Sequence, residues 1–127
     1  CSKIGLIPDS AGTYFLPRLI GMQKASALMM LGDKVSSAEA EQMGMIYKAV
    51  ADEEFEAFVS KTASKLAQMP TKGLGLTKRA LNESYKNSLN QQLALEDKLQ
   101  TIAGHSYDYQ EGVNAFLEKR KPLFKGE

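Results

Sequence analysis

The chain has 127 residues, one domain or part of one, and its 16 Lys plus Arg against 15 Asp plus Glu leave a formal net charge of +1. That balance speaks against a general nucleic-acid binder, whose basic excess is large, and 43% hydrophobic with 24% charged residues is ordinary globular usage. A single cysteine, Cys1, and a single histidine, His105, exclude an internal disulfide and a zinc cluster, and the apolar patch Ala27–Leu31 is far too short to span a bilayer.

Ile4-Gly5-Leu6-Ile7 reads as a buried strand with almost no chain before it. A buried strand needs hydrogen-bonding neighbours, and the only other candidate is the stretch from Ile46 to Val50. Two short strands do not make an independent sheet, so the rest of the sheet is expected upstream of Cys1. The alternative is a small helical protein with one edge strand. No basic leader or signal-like apolar stretch is visible, and the expected location is the cytoplasm.

Residues 8 to 13 carry turn chemistry, and a short helix is expected through Tyr14 to Ile20, ended by Gly21. Pro17 marks a kink or a first-turn position in it. Met22 to Leu31 reads as a helix closed by Gly32. Met22, Met29, Met30, Met43 and Met45 read as core filler. Ser36 with Glu39 forms a capping box for a brief helix that stops at Gly44. Asp52 is expected to cap a helix from Glu53 to Gln68, with Phe55, Phe58, Val59 and Leu66 on one face. Thr71 is expected to cap a helix to about Lys86, weakened in its first turn by Gly73 and Gly75. Ser88 with Gln91 is a second capping box, for a helix ending at Gly104. Ser106 can cap a last helix, from Tyr107 to about Lys119. The expected fold is mostly α, with one or two short strands.

Asp9 is the most informative titratable group. It follows a strand candidate and Pro8 and precedes a helix start. Packed among Ile7, Ala11 and Tyr14, a carboxyl group is partly desolvated, which raises its pKa and suits it to general acid/base work. The competing reading is a helix N-cap, which Asp performs well. In the tail, Phe116 can stack on a planar ring, while Lys119, Arg120 and Lys121 can meet a phosphate. Its competing reading is a solvated, basic helix end. His105 reads as a solvated loop residue, and Cys1 as inert.

Four ordered blocks carry a family resemblance. They are Lys3 to Gly21 (with Ile7-Pro8-Asp9-Ser10-Ala11-Gly12-Thr13), Leu31 to Ala40, Gly44-Met45-Ile46, and Glu111 to Phe124. In them the chain resembles the C-terminal half of the enoyl-CoA hydratase/isomerase (crotonase) superfamily. The run Ser2 to Asp9 and the later Pro70 to Leu76 look most like the ring-epoxide phenylacetyl-CoA isomerase branch.

The resemblance implies a β/α spiral core that ends within residues 1–50, followed by a helical oligomerisation region at 51–127. It implies an acyl-CoA thioester as substrate, no separate cofactor and no metal, and a homo-trimer or dimer of trimers in the full-length protein. Two backbone N–H donors of an oxyanion hole are expected upstream, which leaves this segment inactive alone. Hydratases of the family hold a Glu where this chain has Cys1, and Asp9 matches a catalytic Asp of the isomerase branches. Phe116 and Lys119 match positions that contact CoA, often from a neighbouring subunit, with Lys121 a weaker candidate. The expected activity is therefore acyl-CoA isomerisation with Asp9 as proton shuttle. Enoyl-CoA hydration and a non-catalytic oligomerisation or CoA-binding module are the alternatives. Ala11 stands where the family has a glycine, a replacement that costs little unless the position needs a positive φ.

Overall fold

The computed structural model describes residues 1–127. It contains seven α-helices and one short 3-10 turn, with no strand. The chain divides into two compact units, Cys1–Phe55 and Glu56–Glu127.

In the first unit, helices α1 (Gly12–Ile20) and α2 (Met22–Leu31) pack against each other, and α3 (Ser37–Met43) follows. Gly32 closes α2 in the left-handed region, as its position after an apolar helix leads one to expect. Ser36 and Glu39 form the full capping box on α3. Pro17 sits in the interior of α1 rather than in its first turn. Ala25 and Ala40 are the buried apolar residues of this unit. Met29 approaches Gly12, but Met22 and Met30 are 70% and 75% exposed and fill no core.

Neither strand candidate is a strand. Ser2–Ile4 is a 3-10 turn closed by Gly5 at φ 79°, and the N–H groups of Ile4, Gly5 and Leu6 bond the carbonyls of Cys1 and Ser2. The stretch from Ile46 to Val50 wraps the end of α3 instead. Met45 and Ile46 donate to the Ala40 carbonyl, and Ala49 N–H donates to the Glu41 carboxylate at 2.7 Å. Gly44 makes that wrap possible: its φ is 85°, and a Cβ there would stand 3.4 Å from the Leu19 carbonyl oxygen. A strand is a property of a pair, and within these residues local turns take up the N–H groups that a ladder needs.

α4 (Asp52–Ala67) leads into the second unit, which holds α5 (Thr71–Ser84), α6 (Leu89–Gly104) and α7 (Tyr107–Leu117). α4 begins at Asp52 itself, and α5 takes Pro70 rather than Thr71 as its N-cap. α5 packs on α6, and Gln92 fastens the pair: its amide donates to the Ala80 carbonyl and accepts from Asn87, both at 3.0 Å. The Ser88–Gln91 capping box starts α6, which carries the buried Leu99. Ser106 starts α7, accepting from Tyr109 N–H at 3.0 Å while donating to the Ala103 carbonyl.

Candidate functional site

Asp9 lies in the first unit, in the loop that enters α1. Its carboxylate is exposed, not packed among Ile7, Ala11 and Tyr14 as the sequence suggests. It accepts the Ser10 hydroxyl at 3.2 Å, and its backbone carbonyl accepts Gly12 N–H at 2.9 Å. The N-cap of α1 is Ala11, which has no side-chain cap to offer. Asp9 is therefore not spent on capping. The two residues after it are left-handed, Ser10 at φ 51° and Ala11 at φ 66°. Consecutive non-glycine residues in this region are strained, because Cβ crowds the following carbonyl. The condition under which Ala11 is costly is thus met.

Phe116 and Lys119 lie three residues apart at the end of α7 in the second unit. Phe116 is 82% exposed, and Lys119 is exposed at φ 53°. The helix ends in a Schellman arrangement with Lys119 in the place usually held by glycine. Lys119 N–H donates to the Phe116 carbonyl at 3.2 Å, and Arg120 N–H to the Ala115 carbonyl at 3.0 Å.

The chain then turns back along α7. Asp108, Glu111 and Ala115 are buried and share one face of that helix by spacing. Two of the three are acidic because polar groups of the returning tail cover them. Glu111 takes the Arg120 fork through Nη1 at 2.5 Å and Nη2 at 3.0 Å, and accepts Leu123 N–H at 2.9 Å. Arg120 hydrogen bonds and the Leu123 amide hold its carboxyl down at about 2. The same pairing, with Glu118 as a second partner, raises the Arg120 pKa. Asp108 accepts Lys125 and Gly126 N–H at 2.7 and 2.8 Å, and donates its own N–H to the Glu127 carbonyl. Gly126 is needed there, with φ at 78° and any Cβ only 2.6 Å from Thr71 Oγ1. Phe124 lies against Gly112 of α7, and the Lys125 ammonium sits 4.3 Å from the centre of the Tyr107 ring.

This clamp was not visible as such in the sequence. Its trace is the spacing of Asp108 and Glu111, three apart on a helix whose tail holds Arg120 and Pro122.

Beside Phe116 opens an apolar cavity of about 680 Å³, lined by Tyr109, Val113, Leu117, Phe124 and Pro70 among others. That is the size of a small-ligand site. Lys121 is exposed in the extended tail. His105 caps the C-terminus of α6, with Nδ1 2.7 Å from the Thr101 carbonyl, so that nitrogen carries the proton and donates. Cys1 is exposed and free. No three His, Cys, Asp or Glu residues cluster as metal ligands, and no helix is long and apolar enough to cross a membrane.

Comparison with known proteins covers the whole chain. The family model for enoyl-CoA hydratase/isomerase matches residues 1–127. A 1,2-epoxyphenylacetyl-CoA isomerase of Escherichia coli (strain K12) is 48% identical over 126 residues, covering 99% of this chain and 48% of that protein. A Rhodobacter capsulatus protein described as a probable enoyl-CoA hydratase is 43% identical over 125 residues, 98% of this chain and 49% of its own length. The crystal structure of an enoyl-CoA hydratase from Bacillus anthracis superposes with a TM-score of 0.92 at 33% identity, covering 98% of this chain and 48% of that one. The chain thus spans about half the length of the curated relatives it matches. By sequence, fold and a family match across residues 1–127, it belongs to the enoyl-CoA hydratase/isomerase (crotonase) family.

Proposed function

We propose that the full-length protein carrying this chain is an acyl-CoA isomerase with Asp9 as its acid/base. The observation that carries this reading is the 48% identity over 126 residues to the E. coli 1,2-epoxyphenylacetyl-CoA isomerase. Two features of the chain support it. Asp9 is exposed and does not cap α1. Cys1, which stands where the family's hydratases hold a Glu, has no carboxylate to polarise a water molecule.

In this reading the Asp9 carboxylate removes a proton next to the thioester carbonyl. The resulting enolate is stabilised by backbone N–H donors from the other half of the protein. Asp9 then returns the proton to a different carbon, directly or after the activated ring has rearranged, so that the product is an isomer of the substrate. Phe116 stacks on the adenine of CoA and Lys119 meets its phosphates. The exposed apolar residues of α4, Phe55, Val59 and Leu66, make contacts between subunits of a trimer.

The 43% identity to the Rhodobacter protein favours a second reading, enoyl-CoA hydration by carboxylates outside this chain. Crotonyl-CoA, a 3-enoyl-CoA and ring-epoxide phenylacetyl-CoA, each offered to the full-length protein and resolved by chromatography with mass detection, separate the two. Isomers of unchanged mass from the last two substrates are expected. A water adduct of crotonyl-CoA as the dominant product would replace the isomerase reading with the hydratase one.

A further inference from the structure

The end of α7 is built in an unusual way for a helix terminus. The residue that reverses the chain is Lys119, at φ 53°, where glycine would be free of strain. A strained lysine persists only where its surroundings hold it. Here the holding is explicit on both sides. The Lys119 and Arg120 amides satisfy the last carbonyls of α7, and the Arg120 side chain is anchored on the buried Glu111 by two bonds of 2.5 and 3.0 Å. Arg120 Nε also bonds Glu118 at 2.5 Å, so both neighbours of Lys119 are fixed by one guanidinium. Glu111 closes the loop by accepting Leu123 N–H. Lys119 and Phe116 remain exposed, while Glu111, the anchor of Arg120, is buried. An exposed cation whose backbone is fixed in this way, three residues from an exposed aromatic ring, suits a phosphorylated, planar ligand end.

We infer that Glu111 and Arg120 are a positioning pair that aims Lys119 and Phe116 at the nucleotide end of the acyl-CoA; the inference rests on the CoA reading above. Neither residue of the pair touches substrate. Their effect is confined to the part of the ligand that Lys119 and Phe116 meet.

The test uses the full-length protein and two thioesters of the same acyl group, one on CoA and one on pantetheine, which lacks the nucleotide. Glu111→Gln keeps the shape of the side chain and removes its charge. It is expected to raise KM for the CoA thioester about tenfold, with kcat and the pantetheine KM unchanged. Arg120→Lys keeps the charge and loses the fork, and it is expected to do the same. It also stands in if Glu111→Gln does not fold. A merely structural clamp would shift both thioesters alike or lower kcat, and either result overturns the inference. Phe116→Ala and Lys119→Ala separate the two levels. If neither narrows the KM gap between the thioesters, the CoA reading itself fails. If both narrow it and the Glu111 and Arg120 variants do not, the positioning inference alone fails.

Discussion

Three non-glycine residues adopt the left-handed backbone region, Ser10, Ala11 and Lys119; the first two follow Asp9 and the third is itself a candidate site residue. Strain of this kind costs roughly 1–2 kcal/mol per residue and is retained where the surrounding structure fixes it. At Ala11 the cost is a missing glycine. Ala11→Gly is expected to stabilise the full-length protein by about 1 kcal/mol, less the entropy that glycine loses on folding, seen as a rise in the denaturant midpoint at constant slope. A lower midpoint would mean that the φ of 66° is held by something other than a compensated strain. The acid/base role proposed for Asp9 rests, in the sequence, on the resemblance alone. Spacing alone favours the N-cap over acid/base, and the structure removes the N-cap by placing Ala11 there. The expected desolvation was not legible, because burial depends on residues brought in from elsewhere in the fold.

At the scale of the elements, what the sequence shows is what is local. Ser36 with Glu39 and Ser88 with Gln91 form complete capping boxes, and Ser106 caps α7, because each of these contacts spans three residues. The two strand candidates fail for the complementary reason: apolar runs such as Ile4 to Ile7 specify a strand only beside another strand. The tail clamp spans from Asp108 to Gly126 and lies beyond any local pattern. It has a pH signature. The Glu111 carboxyl titrates at about 2 in the folded protein against an ordinary 4.5. A depressed folded pKa contributes stability that is complete above 4.5 and is lost as the pH falls toward 2. Wild type is therefore expected to lose stability across that window more steeply than Glu111→Gln, in acid unfolding followed by circular dichroism. Parallel curves for the two proteins would remove Glu111 from the acid response.

For the whole chain, the apolar surface is the dominant fact. Only Ala25, Ala40, Leu99 and Ala115 are buried hydrophobic residues, although the sequence is 43% hydrophobic. The accessible area is 10044 Å², whereas a folded monomer of 13.9 kDa exposes about 6,700 Å² by the usual size scaling. The excess lies partly in residues such as Leu81, Leu89 and Leu93, whose helical faces were legible in the sequence but whose cover was not. The segment 1–127 expressed alone is expected to bind an apolar dye strongly and to turn over no thioester, while the full-length protein shows the reverse. Catalysis by the segment alone would place the oxyanion donors within it. The acid/base role of Asp9 is tested most directly by the turnover of ring-epoxide phenylacetyl-CoA by the full-length protein, wild type beside Asp9→Asn. If Asp9 is the acid/base, kcat falls about 10²–10⁴-fold with KM nearly unchanged. If Asp9→Asn turns over at the wild-type rate, Asp9 does not carry the proton and the isomerase assignment loses its working residue.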